Sequence, residues 1–170
     1  LRLGTIQQVL RELVRERIPL KQLPHILEAL CDHAAETTDI AELTNRVRRH
    51  LARTISHTFR EPNGRMRVVR LAPSLEQSLI EAVEAVPQSG LAGEVRGLVR
   101  NICREIERQT AFLKSAGMPR ILVVSASLRR HFFEWSRGPL PELVVLCEHE
   151  ITHDTQLIQV ATVGNLAVAA

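Results

Sequence analysis

Residues 149–153 read His149-Glu150-Ile151-Thr152-His153. On a helix this H-E-x-x-H spacing puts two imidazoles on one face to hold Zn²⁺ and a carboxylate where it can activate a bound water. The chemistry requires that helix. Here the five residues directly follow an apolar run, Leu143 to Cys147, include β-branched Ile151 and Thr152, and are followed by Asp154-Thr155 and a second apolar run, Leu157 to Val163. One turn of helix fits between two such strands; the long active-site helix of a peptidase does not. No His or Glu follows His153 to complete a ligand set. The pattern therefore predicts a polar loop between strands, with no catalytic residue, no metal ligand and no cofactor, and a zinc-dependent peptidase as the alternative reading.

The other groups capable of chemistry point the same way. Ser125 and Ser127 stand between an apolar run and a helical pattern, where nucleotide folds bind phosphate, but no glycine lets a backbone approach one; helix capping is the expected role. Arg46, Arg48, Arg49, His50 and Arg53 crowd one helix and could grip phosphates, which makes an Arg-rich nucleic-acid module a further alternative. A solvated face or a protein interface is the commoner meaning of such a cluster. Cys31, Cys103 and Cys147 are few and widely spaced, as free thiols of a reducing compartment are. No Gly-x-Ser-x-Gly elbow is present.

The elements that carry these groups follow from periodicity. At 170 residues and 45% hydrophobic content, the chain can build a core, and with 3% aromatics and no Tyr that core is aliphatic. No apolar run has the length of a membrane span, so a soluble, cytosolic chain is expected. It opens without Met and enters a helical pattern within a few residues, as a piece of a longer protein would. Ile6, Val9, Leu10, Leu13 and Val14 form one helical stripe; Leu23, Ile26, Leu27, Leu30 and Cys31 form a second, with Pro24 in its first turn. A third helix is expected from Thr38 or Asp39 through Ile55. These helices make a small bundle over residues 1–58. Glu61-Pro62-Asn63-Gly64 marks a linker over 59–66.

Residues 67–170 then read as an α/β subdomain. A strand at Met66–Leu71 is followed by a helix from Pro73 with stripe Leu75, Leu79, Val83 and Val86. After Pro87–Gly90 a long helix carries Val95, Leu98, Val99, Ile102, Ile106 and Leu113, closed by Gly117 and Pro119. Ile121–Val124 has no polar face and must be covered on both sides. The helix holding Leu128, Phe132 and Trp135 and the two later strands complete a mixed sheet of about four strands. The fold class is thus α+β or α/β, with a helical bundle preceding it.

Four segments, in order, resemble the cytoplasmic part of the large export-gate proteins shared by flagellar and type III secretion systems. Leu13–Leu30, LVRERIPLKQLPHILEAL, is similar to that family's RER turn and "DL-x-x-ILEAL" segment. LTNRVRRHLARTI, within Asp39–Ile55, resembles "L-x-x-x-VR-x-x-LAR-x-I". Leu71-Ala72-Pro73-Ser74-Leu75-Glu76 resembles "LDPxLE", and Pro141–Leu146 with Glu150-Ile151 resembles "PEL-x-VL-x-x-x-EI". The chain departs from the pattern at Pro19 and Gln22, at Ala72 in place of a capping Asp, and at His149, where a polar residue such as Asn is usual. That last substitution creates the H-E-x-x-H match. Ala52–His57, ARTISH, resembles the virulence-secretion branch.

The resemblance implies the third and fourth cytoplasmic subdomains of an inner-membrane gate whose membrane helices and first two subdomains lie upstream. It implies a non-enzymatic part of a nine-membered homo-oligomeric ring at the cytoplasmic face of the bacterial inner membrane. Chaperones, export substrates and the ATPase stalk and stator are its expected partners, with no nucleic acid and no cofactor. The helix faces opposite the apolar stripes, Gln8, Arg11, Glu12 and Arg15 on the first helix and Glu42, Asn45, Arg46, Arg49 and Arg53 on the third, are the expected protomer contacts.

Overall fold

A computed structural model describes residues 1–85 and 93–164. The expected stripe position Val86 and the breaker Pro87–Gly90 lie outside the described residues. The chain divides into two compact units, Leu1–Gly64 with His149–Gln156, and Arg65–Glu148 with Leu157–Ala170. The short segment read as an inter-strand loop of the second subdomain therefore belongs to the first unit. Local patterning could not show this, because a segment without apolar periodicity carries no signal of the helices it joins.

In the first unit, α1 (Leu3–Arg15) leads through a 3₁₀ turn, Leu20–Gln22, into α2 (Leu23–His33). The reversal after α1 is sharp because Arg17 takes a left-handed conformation (φ 60°). Its N–H donates to the Val14 carbonyl at 3.0 Å, and the Ile18 N–H reaches back to Leu13 at 2.9 Å. This is the pairing usually made around a C-terminal glycine. It turns Ile18 and Glu16 inward. Pro24 sits at the start of α2, where its missing N–H costs nothing.

Asp39 caps α3 (Ile40–His50), accepting from the Ala41 N–H at 2.8 Å. The expected single helix to Ile55 is instead broken at Leu51, and α4 (Ala52–Phe59) follows. The Leu51 N–H is shared between the Val47 and Arg48 carbonyls, tightening the turn while Leu51 and Ile55 both stay buried. Val9, Leu13, Ile26, Leu30, Leu43, Val47 and Ile55 are fully enclosed. Val14, by contrast, is 56% exposed and falls outside the stripe assigned to it.

The second unit begins with β1 (Arg65–Leu71), α5 (Pro73–Ala85) and α6 (Gly93–Gln109). The expected long helix ends at Gln109, because Thr110 leaves helical geometry, and the short α7 (Ala111–Ser115) follows. Thr110 is fully buried, donating from Oγ1 to the Ile106 carbonyl at 2.6 Å and accepting from Arg120 Nε at 3.1 Å. Gly117 (φ 67°) closes α7 as expected. β2 (Ile121–Val124), α8 (Ala126–Ser136), β3 (Val144–Cys147) and β4 (Gln156–Val163) complete the unit.

The four strands form one sheet in the order β3-β2-β1-β4. The strand number is as read from the sequence, but the pairing is parallel rather than mixed. Val69 lies beside Leu122, and Ile121–Val124 pairs with Val144–Cys147 in step. The Gln156 N–H donates to Gly64 at 2.9 Å and the Ala72 N–H to Val163 at 2.7 Å, so the chains on either side of β1 and β4 advance together. Parallel strands need cover on both faces, and every residue of β2 and β3 is buried. On one face Leu122, Val124 and Val145 pack with Leu75 and Leu79 of α5, Ile102 and Ile106 of α6, and Leu128 and Phe132 of α8. Burial in this core pushes the Cys103 thiol up to about 12.

The end of β4 explains one glycine. A methyl group on Gly164 would lie 2.1 Å from the Ala72 Cβ. Ala72 is held by its own N–H to Val163 and by its carbonyl, which accepts from Glu76 N–H at 2.9 Å. Gly164→Ala should therefore lower stability by about 1–3 kcal/mol, the usual cost of overpacking. A chemical denaturation midpoint equal to that of the parent would show that this junction yields freely.

Candidate functional site

The residues of the H-E-x-x-H pattern form a 3₁₀ turn, Glu148–Glu150, and a further turn rather than an α-helix. His149 and His153 are exposed, while Glu150 is 2% exposed and turned inward. There it is gripped by Arg48: Nε donates to Oε1 at 2.5 Å and Nη2 to Oε2 at 2.8 Å. The third arm of the guanidinium, Nη1, donates to Glu16 Oε2 at 2.5 Å. A carboxylate held bidentately by arginine is not available as a general base toward water, and the peptidase alternative fails on that geometry. Among the described residues no group of three or more His, Cys, Asp or Glu is arranged to hold a metal.

Glu16, Arg48 and Glu150 are all buried and form one ionic network in the first unit. Burying charges is costly, and such networks persist where each charge is hydrogen-bonded to its opposite. Ser56, itself fully enclosed, ties the same segment a second time: its Oγ donates to the Glu150 carbonyl at 3.2 Å and accepts from Thr152 N–H at 2.9 Å. Further along, Arg60 Nη1 donates to Asp154 Oδ2 at 3.0 Å. The Asp154 carboxyl is held at about 2, first by a hydrogen bond from Thr152 and then by Arg60. The segment 149–156 is thus a structural clasp.

The arginine cluster of α3 and α4 is divided by the fold. Arg48 is interior. Arg46 is half-buried and spans Glu42, at 2.9 Å from its Nε, and Glu36. Only Arg49 and Arg53 of the cluster project into solvent. A phosphate-gripping row of four arginines is therefore absent, which removes the support for a nucleic-acid face here. Of the other expected contact residues, Gln8, Arg11 and Arg15 are exposed on α1. Glu12 is half-buried and binds Arg15 at 2.6 Å, and Glu42 and Asn45 are half-buried.

Ser125 precedes α8 as expected, but its hydroxyl makes no capping bond and lies 3.3 Å from Ser127 Oγ. The Ser125 N–H instead donates to Glu76 Oε1 at 2.6 Å. Glu76 is the acid of the segment compared with "LDPxLE", so its place in that motif has a visible function: it fixes the start of α8 from α5.

A groove of about 670 Å³ opens in the second unit between α6 and α8, lined by Arg96, Arg100, Arg104, Trp135 and Pro139 among others. Sequence reasoning did not single it out: Trp135 is placed on the apolar stripe of its helix, and Arg96, Arg100 and Arg104 were not considered. Their spacing of four, on the flank of a helix whose buried stripe is Val99, Ile102, Cys103 and Ile106, was the available signal. Among the described residues no helix is long and apolar enough to cross a membrane.

Comparison with known proteins gives one consistent answer. The profile of the FHIPEP family matches residues 1–156. The chain is 31% identical over 162 residues to the flagellar biosynthesis protein FlhA of Yersinia enterocolitica, covering 95% of this chain and 23% of that protein. It is 34% identical over 168 residues to FlhA of Proteus mirabilis, covering 96% and 23%. The chain thus spans about a quarter of the length of these relatives. Among solved structures, the Shigella flexneri MxiA protein superposes with a TM-score of 0.81 at 22% identity, over 96% of this chain and 52% of that one. The nonameric SctV-C of EPEC gives 0.78 at 21% identity, over 96% and 49%. With its motifs collinear, its profile matched nearly end to end and its fold shared, the chain belongs to the FHIPEP family of flagellar and type III secretion export-gate proteins.

Proposed function

We propose that this chain is a non-enzymatic, ring-forming and docking part of a protein export gate, acting at the cytoplasmic face of the inner membrane. The observation that carries the reading is the way charge is spent. The carboxylate that the sequence offered for catalysis, Glu150, and two of the four arginines that it offered for phosphate binding, Arg48 and Arg46, are engaged in holding the fold. What remains outward is a set of single charges, Arg11, Arg49 and Arg53, with Gln8, together with apolar Leu3 (81% exposed) and Val14 on α1. Mixed polar and apolar helix faces of this kind suit assembly.

Two fold neighbours, SctV-C of EPEC and the EscV cytosolic domain, are described as nonameric, and CdsV of Chlamydia pneumoniae as a complex with CdsO. Together they support a nine-membered ring and a bound partner protein for this chain. Chaperones, export substrates and the ATPase stalk are the partner classes. Ala52–His57 favours a virulence-secretion system, whereas the sequence relatives named above are flagellar. Complementation of a flagellar null strain by the full-length protein separates the two.

The assembly reading is tested by light scattering over a wide range of concentration and two salt levels, on the longer protein that includes the upstream subdomains. A large closed species that weakens with salt is expected, and the double reversal Arg49→Glu/Arg53→Glu should shift it toward monomer. Assembly unchanged by the reversal would remove this face from the interface.

A further inference from the structure

The groove between α6 and α8 has a chemistry that the fold does not use. Arg96, Arg100 and Arg104 follow one another at intervals of four, which places their guanidinium groups along a single ridge about 6 Å apart. All three are exposed, and none makes an ion pair or hydrogen bond to another described residue. Elsewhere on the same helix the pattern differs: Arg108 is bound to Glu105 at 2.5 Å, and Glu105 is held at about 2 by Arg108 and then Gln109. The ridge is therefore a row of open forks on a helix whose Arg108 is closed by a local carboxylate.

Opposite the ridge, α8 and the turn after it supply Trp135, Gly138 and Pro139 together with Glu134. Trp135 is half-buried, and Gly138, Pro139 and the buried Val99 line the groove with it. Glu107 and Glu134 also line it, so the groove is not a uniform anion trap. An extended polyanion would meet those carboxylates all along its length. A ligand with acids on one stripe and an apolar residue on the next can place its acids on the arginines and its apolar side chain on the indole.

We infer that this groove is a docking site for an acidic amphipathic helix of a partner protein, its carboxylates spaced by one turn to meet Arg96, Arg100 and Arg104 and an apolar side chain covering Trp135. The inference rests on the docking role proposed above and names the chemistry of one partner. Helices recognise grooves through such i, i+4 anchors, and arginine forks favour carboxylates over point-like anions.

Trp135 is the only tryptophan of the chain, so its emission reports on the groove and on the His131 ring 5.9 Å from it; a fixed pH holds that imidazole in one state. The probe is a synthetic helical peptide with glutamates four residues apart and leucines on the adjacent stripe, titrated into the chain at low and moderate salt. A saturable change in Trp135 emission is expected, weakening with salt. Binding should fall roughly tenfold or more in Arg100→Glu/Arg104→Glu, and measurably in the milder Arg100→Gln/Arg104→Gln. Far-ultraviolet circular dichroism checks that both variants keep their helices.

No emission change with the acidic peptide would overturn the inference. So would equal binding of the same peptide with lysines in place of glutamates, undiminished binding to the reversed variant, or a single-stranded oligonucleotide that binds more tightly than the peptide. Ring formation by the longer protein is measured independently. A protein that assembles normally yet ignores the peptide refutes the groove and leaves the export-gate reading intact.

Discussion

Arg48→Met should destabilise the first unit by about 3–5 kcal/mol, because it leaves the carboxylates of Glu16 and Glu150 enclosed with no guanidinium between them. For a chain of this length that corresponds to a fall in Tm on the order of 10 °C. Arg48→Lys should recover only part of the loss, since an ammonium supplies a charge but not the planar fork that meets Glu150 through both Nε and Nη2. The informative variant is the triple replacement Glu16→Leu/Arg48→Met/Glu150→Leu. Removing all the charges together removes the desolvation cost as well as the attraction, so it should be far more stable than Arg48→Met alone. Amide hydrogen exchange in α3 and α4 assigns the effect to the first unit. A loss below about 1 kcal/mol for Arg48→Met would place the network in the class of solvent-compensated ion pairs.

Phe132→Ala should cost the second unit a similar amount, about 3–5 kcal/mol. Phe132 is fully enclosed on α8 and belongs to the core that joins this helix to β2, α5 and α6. No polar atom is stranded by its removal, so the cost is transfer free energy plus the cavity left behind. Phe132→Leu should recover most of it, which Arg48→Lys should not do at the ionic site; packing forgives an approximate shape more readily than a bidentate pair does. Phe133, packed at the edge of the same core with Arg137 over its ring at 5.9 Å, should tolerate truncation better. Equal losses at positions 132 and 133 would contradict the enclosure described here.

The helices and strands were legible because burial in this chain is periodic. Leu13, Leu30, Val47, Ile55 and Ile121–Val124 all lie where their spacing puts them. The breaks at Leu51 and Thr110 were not legible, since neither involves Gly or Pro; one comes from a shared hydrogen bond and the other from a threonine turned inward toward Arg120. The buried network was hidden for a different reason. Arg48 sits at the edge of the α3 stripe among Arg46, Arg49 and Arg53, and its principal partner lies 102 residues away. No local window contains both.

The signal that could have found the network lay in the motifs. Glu16 belongs to the RER turn, Arg48 to the "VR" pair and Glu150 to the "EI" pair, the segments on which the family resemblance was drawn. Read together as one acid, one base and one acid, they describe the network. The parallel sheet was masked in a similar way. Only eight residues, 148–155, separate β3 from β4, a distance that suggests neighbours, yet they occupy opposite edges, and most of the intervening segment is given to the other unit.

That exchange of a segment has a consequence for how the protein is made. Helices α1 to α4 are synthesised first, but Glu150 and the backbone that Ser56 binds leave the ribosome only after β3. At about 5–20 residues per second, the 102 positions between Arg48 and Glu150 correspond to a wait of roughly 5–20 s. During that interval Arg48 lacks its bidentate carboxylate, and the Ser56 hydroxyl lacks the backbone of segment 149–156. A product released early by premature termination would keep this polar seam open, whereas a finished one closes it. Closure of the N-terminal helices around Arg48 and Ser56 is thus a late event in synthesis, completed only once segment 149–156 is available.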